Sequence, residues 1–186
     1  MIITIHQPNF FPFFPFFQKM MDSDIFVILK YCQFEKNNYQ NRFNIDGKWQ
    51  TMSVNKGLEP ICDKKYTNHL EDWRKIKNKL SEYKSILDLF DTCISDSLSD
   101  TNINIILKIK DILDIKTEIK FDYYTELKST ERLVDICKKY NGDCYLSGIS
   151  GKNYLDLNLF NNINVVFQNE ENMIKKPILE IIKKKI

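Results

Sequence analysis

The chain has few of the residues that punctuate or staple a small protein. Glycine occurs five times in 186 residues, histidine twice and tryptophan twice. No glycine-rich phosphate loop of the Walker kind can be written from it. Two histidines, His6 and His69, and five irregularly spaced cysteines leave no zinc pattern, so no metal is expected. The cysteines read as reduced thiols, which points to a cytoplasmic protein. No apolar run approaches the roughly 18 residues of a membrane helix. No basic region precedes the apolar start, which excludes a signal peptide. The charge balance is also weak, 27 basic against 25 acidic residues for a net +2, so nothing argues for nucleic acid.

What is present is apolar and aromatic. Hydrophobic residues make up 43% of the chain, with 13 Phe and 9 Tyr, enough for a sizeable core in one α/β domain over 1–186. The organising stretch is Ile2 to Phe17. Ile2–Ile5 reads as a strand buried on both faces, and Pro8 stops it. His6, Gln7 and Asn9 are thereby placed at the strand's carboxyl end, where α/β sheets bind ligands. A helix follows at Gln18–Met21, then a second buried strand at Asp24–Leu29, so the two strands should pair in parallel.

Further on, Phe43–Ile45 and Gln50–Val54 alternate around Asp46-Gly47, the signature of an antiparallel hairpin. Helices are expected over Leu70–Leu87, Ile86–Leu98 and Ile103–Leu113, the last capped by Thr101. Together, residues 69–114 read as a helical insertion. The α/β pattern then resumes. A strand at Thr117–Tyr124 precedes a helix capped by Ser129-Thr130-Glu131 and stopped near Gly142. A short strand at Cys144–Leu146 comes next, then a helical Tyr154–Phe160, and a last strand at Ile163–Phe167. Residues 169–186 form a basic tail, whose amphipathic end should dock on the body or a partner rather than a membrane.

Three polar loops follow predicted parallel strands, so they should share one rim of the sheet. Their candidate residues are His6, Gln7 and Asn9; then Gln33, Lys36, Asn41 and Arg42; then Ser147, Gly148, Ser150 and Gly151. His6 is either a general base or a ring that fixes its loop. Arg42 has the fork to grip a phosphate or carboxylate, while Gln33 and Asn41 can donate to an oxyanion or a hydroxyl. In Ser147-Gly148-x-Ser150-Gly151, the glycines admit an anion close to the backbone, or simply make a tight turn. His6, Gln33, Arg42 and Ser147 are expected to converge on one cleft.

The blocks IHQPNFFPFFPFFQKM, DIFVIL, QFEKNNYQNRFNI, TERLVDICKKY and YLSGISGKNYLD, in this order, resemble the WbqC-like proteins of bacterial polysaccharide clusters. The resemblance spans roughly residues 1–54 and 129–168, and it brings Thr130, Glu131 and Tyr154 into the candidate substrate site. It implies a cytoplasmic enzyme of surface-glycan (O-antigen or capsule) biosynthesis, a glycyl or other aminoacyl transferase acting on a nucleotide-linked amino sugar. An acyl carrier protein could then be a donor partner; the cofactor and any homo-oligomer stay open. In the second loop the family carries two aspartates where Lys30, Tyr31 and Cys32 stand here. The late His-Pro segment is absent too. The fold expected is a mainly parallel sheet, Rossmann-like or nucleotidylyltransferase-like. That analogy leaves two alternatives, an ATP-dependent adenylating enzyme and a non-catalytic binding protein of the glycan machinery.

Overall fold

A computed structural model describes all 186 residues. The protein is α/β, with a five-stranded parallel sheet, a separate two-stranded antiparallel hairpin and six α-helices. The chain divides into two compact units. The first holds Met1–His6, Pro15–Leu29 and Lys116–Ile174; the second holds Gln7–Phe14, Lys30–Ile115 and Lys175–Ile186.

The first unit is built on β1 (Ile2–His6), β2 (Ile25–Ile28), β5 (Glu118–Phe121), β6 (Cys144–Ser147) and β7 (Asn164–Phe167), all parallel, in the order β5-β2-β1-β6-β7. Counting only the strands of this sheet, the order is 3-2-1-4-5, as in doubly wound nucleotide-binding folds. The central strands are apolar on both faces because both faces are covered. Ile3, Ile5, Ile25, Val27 and Tyr145 pack against Val134, Ile136 and Cys137 of helix α5 (Ser129–Lys139). The alternate residues face helix α1 (Phe14–Met21), whose Phe16 meets both His6 and Phe26.

Helix α5 ends as expected near Gly142, in a Schellman motif. The Gly142 N–H returns to the Cys137 carbonyl at 2.8 Å, and Asn141 takes the left-handed conformation at φ 55°. Its start differs from expectation: Lys128 precedes the first turn and no side chain caps it, while Thr130 accepts a hydrogen bond from the Asp156 N–H instead. The expected helix at Tyr154–Phe160 is replaced by one 3-10 turn, Leu157–Phe160, and a second 3-10 turn, Ile149–Asn153, precedes that stretch. Asn158 accounts for part of this, since Asp156 accepts from its N–H and starts a short turn there.

In the second unit, β3 (Arg42–Ile45) and β4 (Lys48–Thr51) form the hairpin, with Asp46 and Gly47 both at positive φ (50° and 74°). That pair of angles is the type I′ turn which matches strand twist. Helix α2 (His69–Lys79) stops earlier than the periodicity predicts, and a 3-10 turn leads into α3 (Lys84–Asp88). The expected helix to Leu98 breaks after Cys93. Helix α4 (Leu98–Ile112) is capped by Ser97, which accepts from the Asp100 N–H at 3.2 Å, not by Thr101. Thr101 is buried, its hydroxyl turned onto Ser95. The basic tail is docked, as expected. Ile178, Leu179 and Ile182 of α6 (Ile178–Lys185) are buried, and Lys183 reaches Glu82 at 3.3 Å and lies over the Tyr83 ring.

Buried Asn102 of α4 organises this unit. Its amide donates to the carbonyls of Pro8 at 2.8 Å and Gln40 at 2.7 Å, and its carbonyl accepts from the Tyr66 hydroxyl. Removing it strands two buried carbonyls and one hydroxyl. Asn102→Ala should lower unfolding free energy by about 2–4 kcal/mol, read from urea midpoints; a loss under about 1 kcal/mol would show that water replaces the amide.

Candidate active site at the carboxyl edge of the sheet

Parallel strands deliver their carboxyl ends to one edge, and here that edge carries most of the unit's chemical groups. His6 ends β1, Asp122 follows β5, and Ser147-Gly148 ends β6. The strand order reverses between β1 and β6, the point at which open α/β sheets bind ligands beside the strands' carboxyl ends, and His6 and Ser147 end these two strands. These two residues lie at the same end of the sheet. The His6 ring is half-buried, with its edge or face against Phe16 at 4.8 Å between centroids, 70° apart.

Beyond β6 the chain turns tightly. Gly151 sits so close to Ser147 that a Cβ there would lie 2.1 Å from the hydroxyl oxygen. This glycine is required by packing. Gly148 is different: a Cβ built on it meets only Gln168 Oε1, at 3.9 Å. The space above Gly148 is therefore open beside the strand end. The Ser147 hydroxyl is turned inward, buried and donating to the Gly148 carbonyl at 3.1 Å, whereas Ser150 is exposed. Thr130 is buried; Glu131 and Tyr154 are exposed.

Two groups at this edge are missed by sequence reasoning. Lys19, on α1 one turn beyond Phe16, is 4% exposed, and its ammonium donates to the Ile5 carbonyl at 3.4 Å. No carboxylate faces it. Burial alone pushes its pKa down to about 7. The signal was a lysine on the apolar face of an otherwise aromatic helix. The second is the Asp122–Arg132 ion pair, whose carboxylate is fully buried; Arg132 Nε is buried without a partner. Beside β6 and β7, a cleft of about 310 Å³ runs along the sheet from Ile2 and Cys144, at the amino ends of β1 and β6, past Leu146 and Val166 to Gln168 and Asn169, with Gln18 and Asp22 also in its lining. Its size is at the low end for ligand pockets.

The remaining candidates belong to the second unit. Gln7 accepts from Gln40 Nε2 at 2.7 Å and donates to Glu35 at 3.4 Å, so it joins an amide network. Asn9 is half-buried, and Gln33 and Lys36 are exposed. Asn41 closes the hairpin, its amide donating to the Met52 carbonyl at 2.8 Å. Arg42 donates to the Asn37 carbonyl and stacks on Trp49. No group of three or more His, Cys, Asp or Glu is placed to hold a metal, and no helix is long and apolar enough to cross a membrane.

The family model of the WbqC-like protein family matches residues 7–176. The chain belongs to the WbqC-like family. Among curated proteins it is similar to an uncharacterized protein of Mycobacterium tuberculosis, 23% identical over 184 residues, covering 88% of this chain and 79% of that one. No solved structure matches. The matched residues include parts of both units.

Lys19 gives a pH signature. The unfolded chain holds its proton up to the ordinary value of 10.5, and the folded chain only to about 7. Between these values the unfolded state binds more protons, so stability rises with pH; below about 7 the whole penalty of the buried charge is felt. Wild type should gain roughly 1 kcal/mol from this group between pH 7.5 and 8.5. Lys19→Met should be more stable than wild type at pH 6 and lose that slope. Parallel pH profiles of the two proteins would assign the slope elsewhere.

Proposed function

We propose that the protein is a transferase of surface-polysaccharide biosynthesis that acylates the amine of a nucleotide-linked amino sugar, with an amino acid or related acyl group. The observation that carries the reading is His6 at the carboxyl end of β1, beside the point where the strand order reverses. The resemblance to polysaccharide-cluster proteins supports the substrate class.

The chemistry asks for three things. The sugar ammonium must lose a proton before its nitrogen attacks the acyl carbonyl; His6 is the base. The tetrahedral oxyanion needs donors at the edge, and the main chain around Gly148 can approach it because no side chain intervenes. His6 releases that first proton to solvent, then takes the second proton from the nitrogen of the tetrahedral intermediate and passes it to the leaving acyl carrier as the intermediate collapses to the amide. Lys19 acts as a positioning residue, since its ammonium holds the Ile5 carbonyl next to His6. The Leu146–Val166 cleft has the mixed apolar and amide lining that suits an acyl arm, so we place the donor there.

A second reading, an adenylating enzyme, draws on the same nucleotide-type strand order. ATP binding measured by calorimetry separates it, because the transferase needs no ATP. Incubating the protein with UDP-linked amino sugars and either glycyl thioester or glycyl adenylate, followed by mass spectrometry, tests the main reading. The expected product is heavier by one glycyl residue. His6→Ala should lower the rate by about 10²–10⁴-fold while the melting temperature stays within a few degrees. A mutant that transfers at the normal rate would remove His6 from the chemistry.

A further inference from the structure

The hairpin of the second unit has an outer face to which the steps above assign no role. Phe43, Ile45 and Gln50 point into the core, where Phe43 packs on Phe10 and Phe11. The strand period of two then turns Arg42, Asn44, Trp49 and Thr51 outward. Asn44 lies directly opposite Trp49, and Arg42 opposite Thr51. The Arg42 guanidinium stacks over the Trp49 ring at 4.1 Å from its centroid. Tyr39 leans on the same indole at 5.3 Å, and Phe13 meets Tyr39 at 6.4 Å. Trp49 is 42% exposed and Tyr39 40% exposed.

The backbone beneath the cluster is hydrogen-bonded. The Tyr39 carbonyl accepts from the Phe10 N–H at 2.8 Å, and the Tyr39 N–H donates to Asn38 at 2.7 Å. Arg42 is held by the Asn37 carbonyl. A cross-strand stack that merely stabilised the hairpin would account for Arg42 on Trp49. It would not account for a second exposed ring beside the first. Exposed, clustered aromatics mark a surface that meets something.

The neighbouring groups limit what that is. The outward strand positions carry one cation and two neutral hydrogen-bonding side chains, Asn44 and Thr51, and no carboxylate. A pyranose ring suits this set. Its C–H face is polarised positive and packs on the electron-rich face of an aromatic ring, while its hydroxyls lie in the ring plane, where amide, hydroxyl and guanidinium groups can reach them. We propose that the outer face of the hairpin, centred on Trp49 and Tyr39 with Arg42, Asn44 and Thr51 around them, binds the sugar ring of a glycan substrate. The choice of a sugar rests on the transferase reading above.

Calorimetric titration of the full chain with UDP-N-acetylglucosamine, N-acetylglucosamine and UDP tests the site. Both sugars are expected to bind, the free sugar in the millimolar range, and Trp49→Leu is expected to weaken each at least tenfold. Trp49→Phe, which keeps a ring, should retain most of the affinity, and Tyr39→Leu should weaken it. Circular dichroism checks that each variant is folded. The inference is overturned if neither sugar binds, or if Trp49→Leu and Tyr39→Leu bind both as wild type does. Sugar binding without any transfer would uphold this face and sink the transferase; transfer with an unchanged KM in Trp49→Leu would do the reverse.

Discussion

Hydrogen bonding on both sides of β1 is the constraint from which the sheet unit follows. Ile3–His6 pair in parallel with β2 on one side, and Ile2 and Ile3 with β6 on the other, so most of the strand's main-chain groups are taken up inside the sheet. A strand placed there must be apolar on both faces, and the sequence Ile-Ile-Thr-Ile satisfies this with one hydroxyl, which donates to the Leu146 carbonyl at 2.7 Å. The same ladder aligns the ends of β1, β2 and β6 at one edge. Because β1 is central and the chain departs from it in both directions, the edge beside it is where the order reverses. The position of His6 is thus a consequence of the strand pairing rather than of any contact the histidine itself makes.

Two buried lysines show how differently the fold treats the same cost. Lys64 in the second unit has its side chain wholly buried, but Glu59 lies 3.3 Å away, the Gly57 carbonyl accepts at 2.9 Å, and the Phe34 ring faces it at 4.8 Å. Its charge is compensated on three sides. Lys19 has one long hydrogen bond to a carbonyl and no counter-charge. A buried lysine without compensation loses stability that a methionine of similar shape would keep. Retaining it at the reversal point of the sheet is the kind of local conflict that functional sites carry.

The parts of the fold written in short-range pattern were legible in the sequence. Two-faced apolar runs marked β1 and β2, Asp46-Gly47 marked the hairpin turn, and Gly142 marked the end of α5. What the sequence hid was set by longer-range choices. The 3-10 turns between β6 and β7 replace a helix although the apolar spacing there suits one. Ser97 and Thr101 are equally good caps by type, and burial against Ser95 decided which of them lies inside the helix. For the site, His6 and the Gly148 turn were legible because strand ends are; Lys19 was not, because a lysine in a helix is ordinarily a solvated residue.

The aromatic residues divide along the same line. Phe10, Phe11, Phe43, Trp73 and Phe90 form a continuous buried cluster, with Phe11 stacked on Trp73 at 5.8 Å and edge-on to Phe90 at 5.0 Å. The Trp73 indole N–H has its acceptor in Asp91 at 2.7 Å, as a buried indole requires. Trp49 and Tyr39 are built into the same unit on equally firm backbone, yet they keep about two-fifths of their surface in water. Nothing in strand propensity forces that arrangement, since a β-branched residue would hold the same hairpin with less apolar surface exposed. The first set fills volume, and rigidity there follows from density. In the second set the rings touch each other and the Arg42 guanidinium but no packed interior. If the face binds a ligand, those contacts lower the ordering entropy lost on binding.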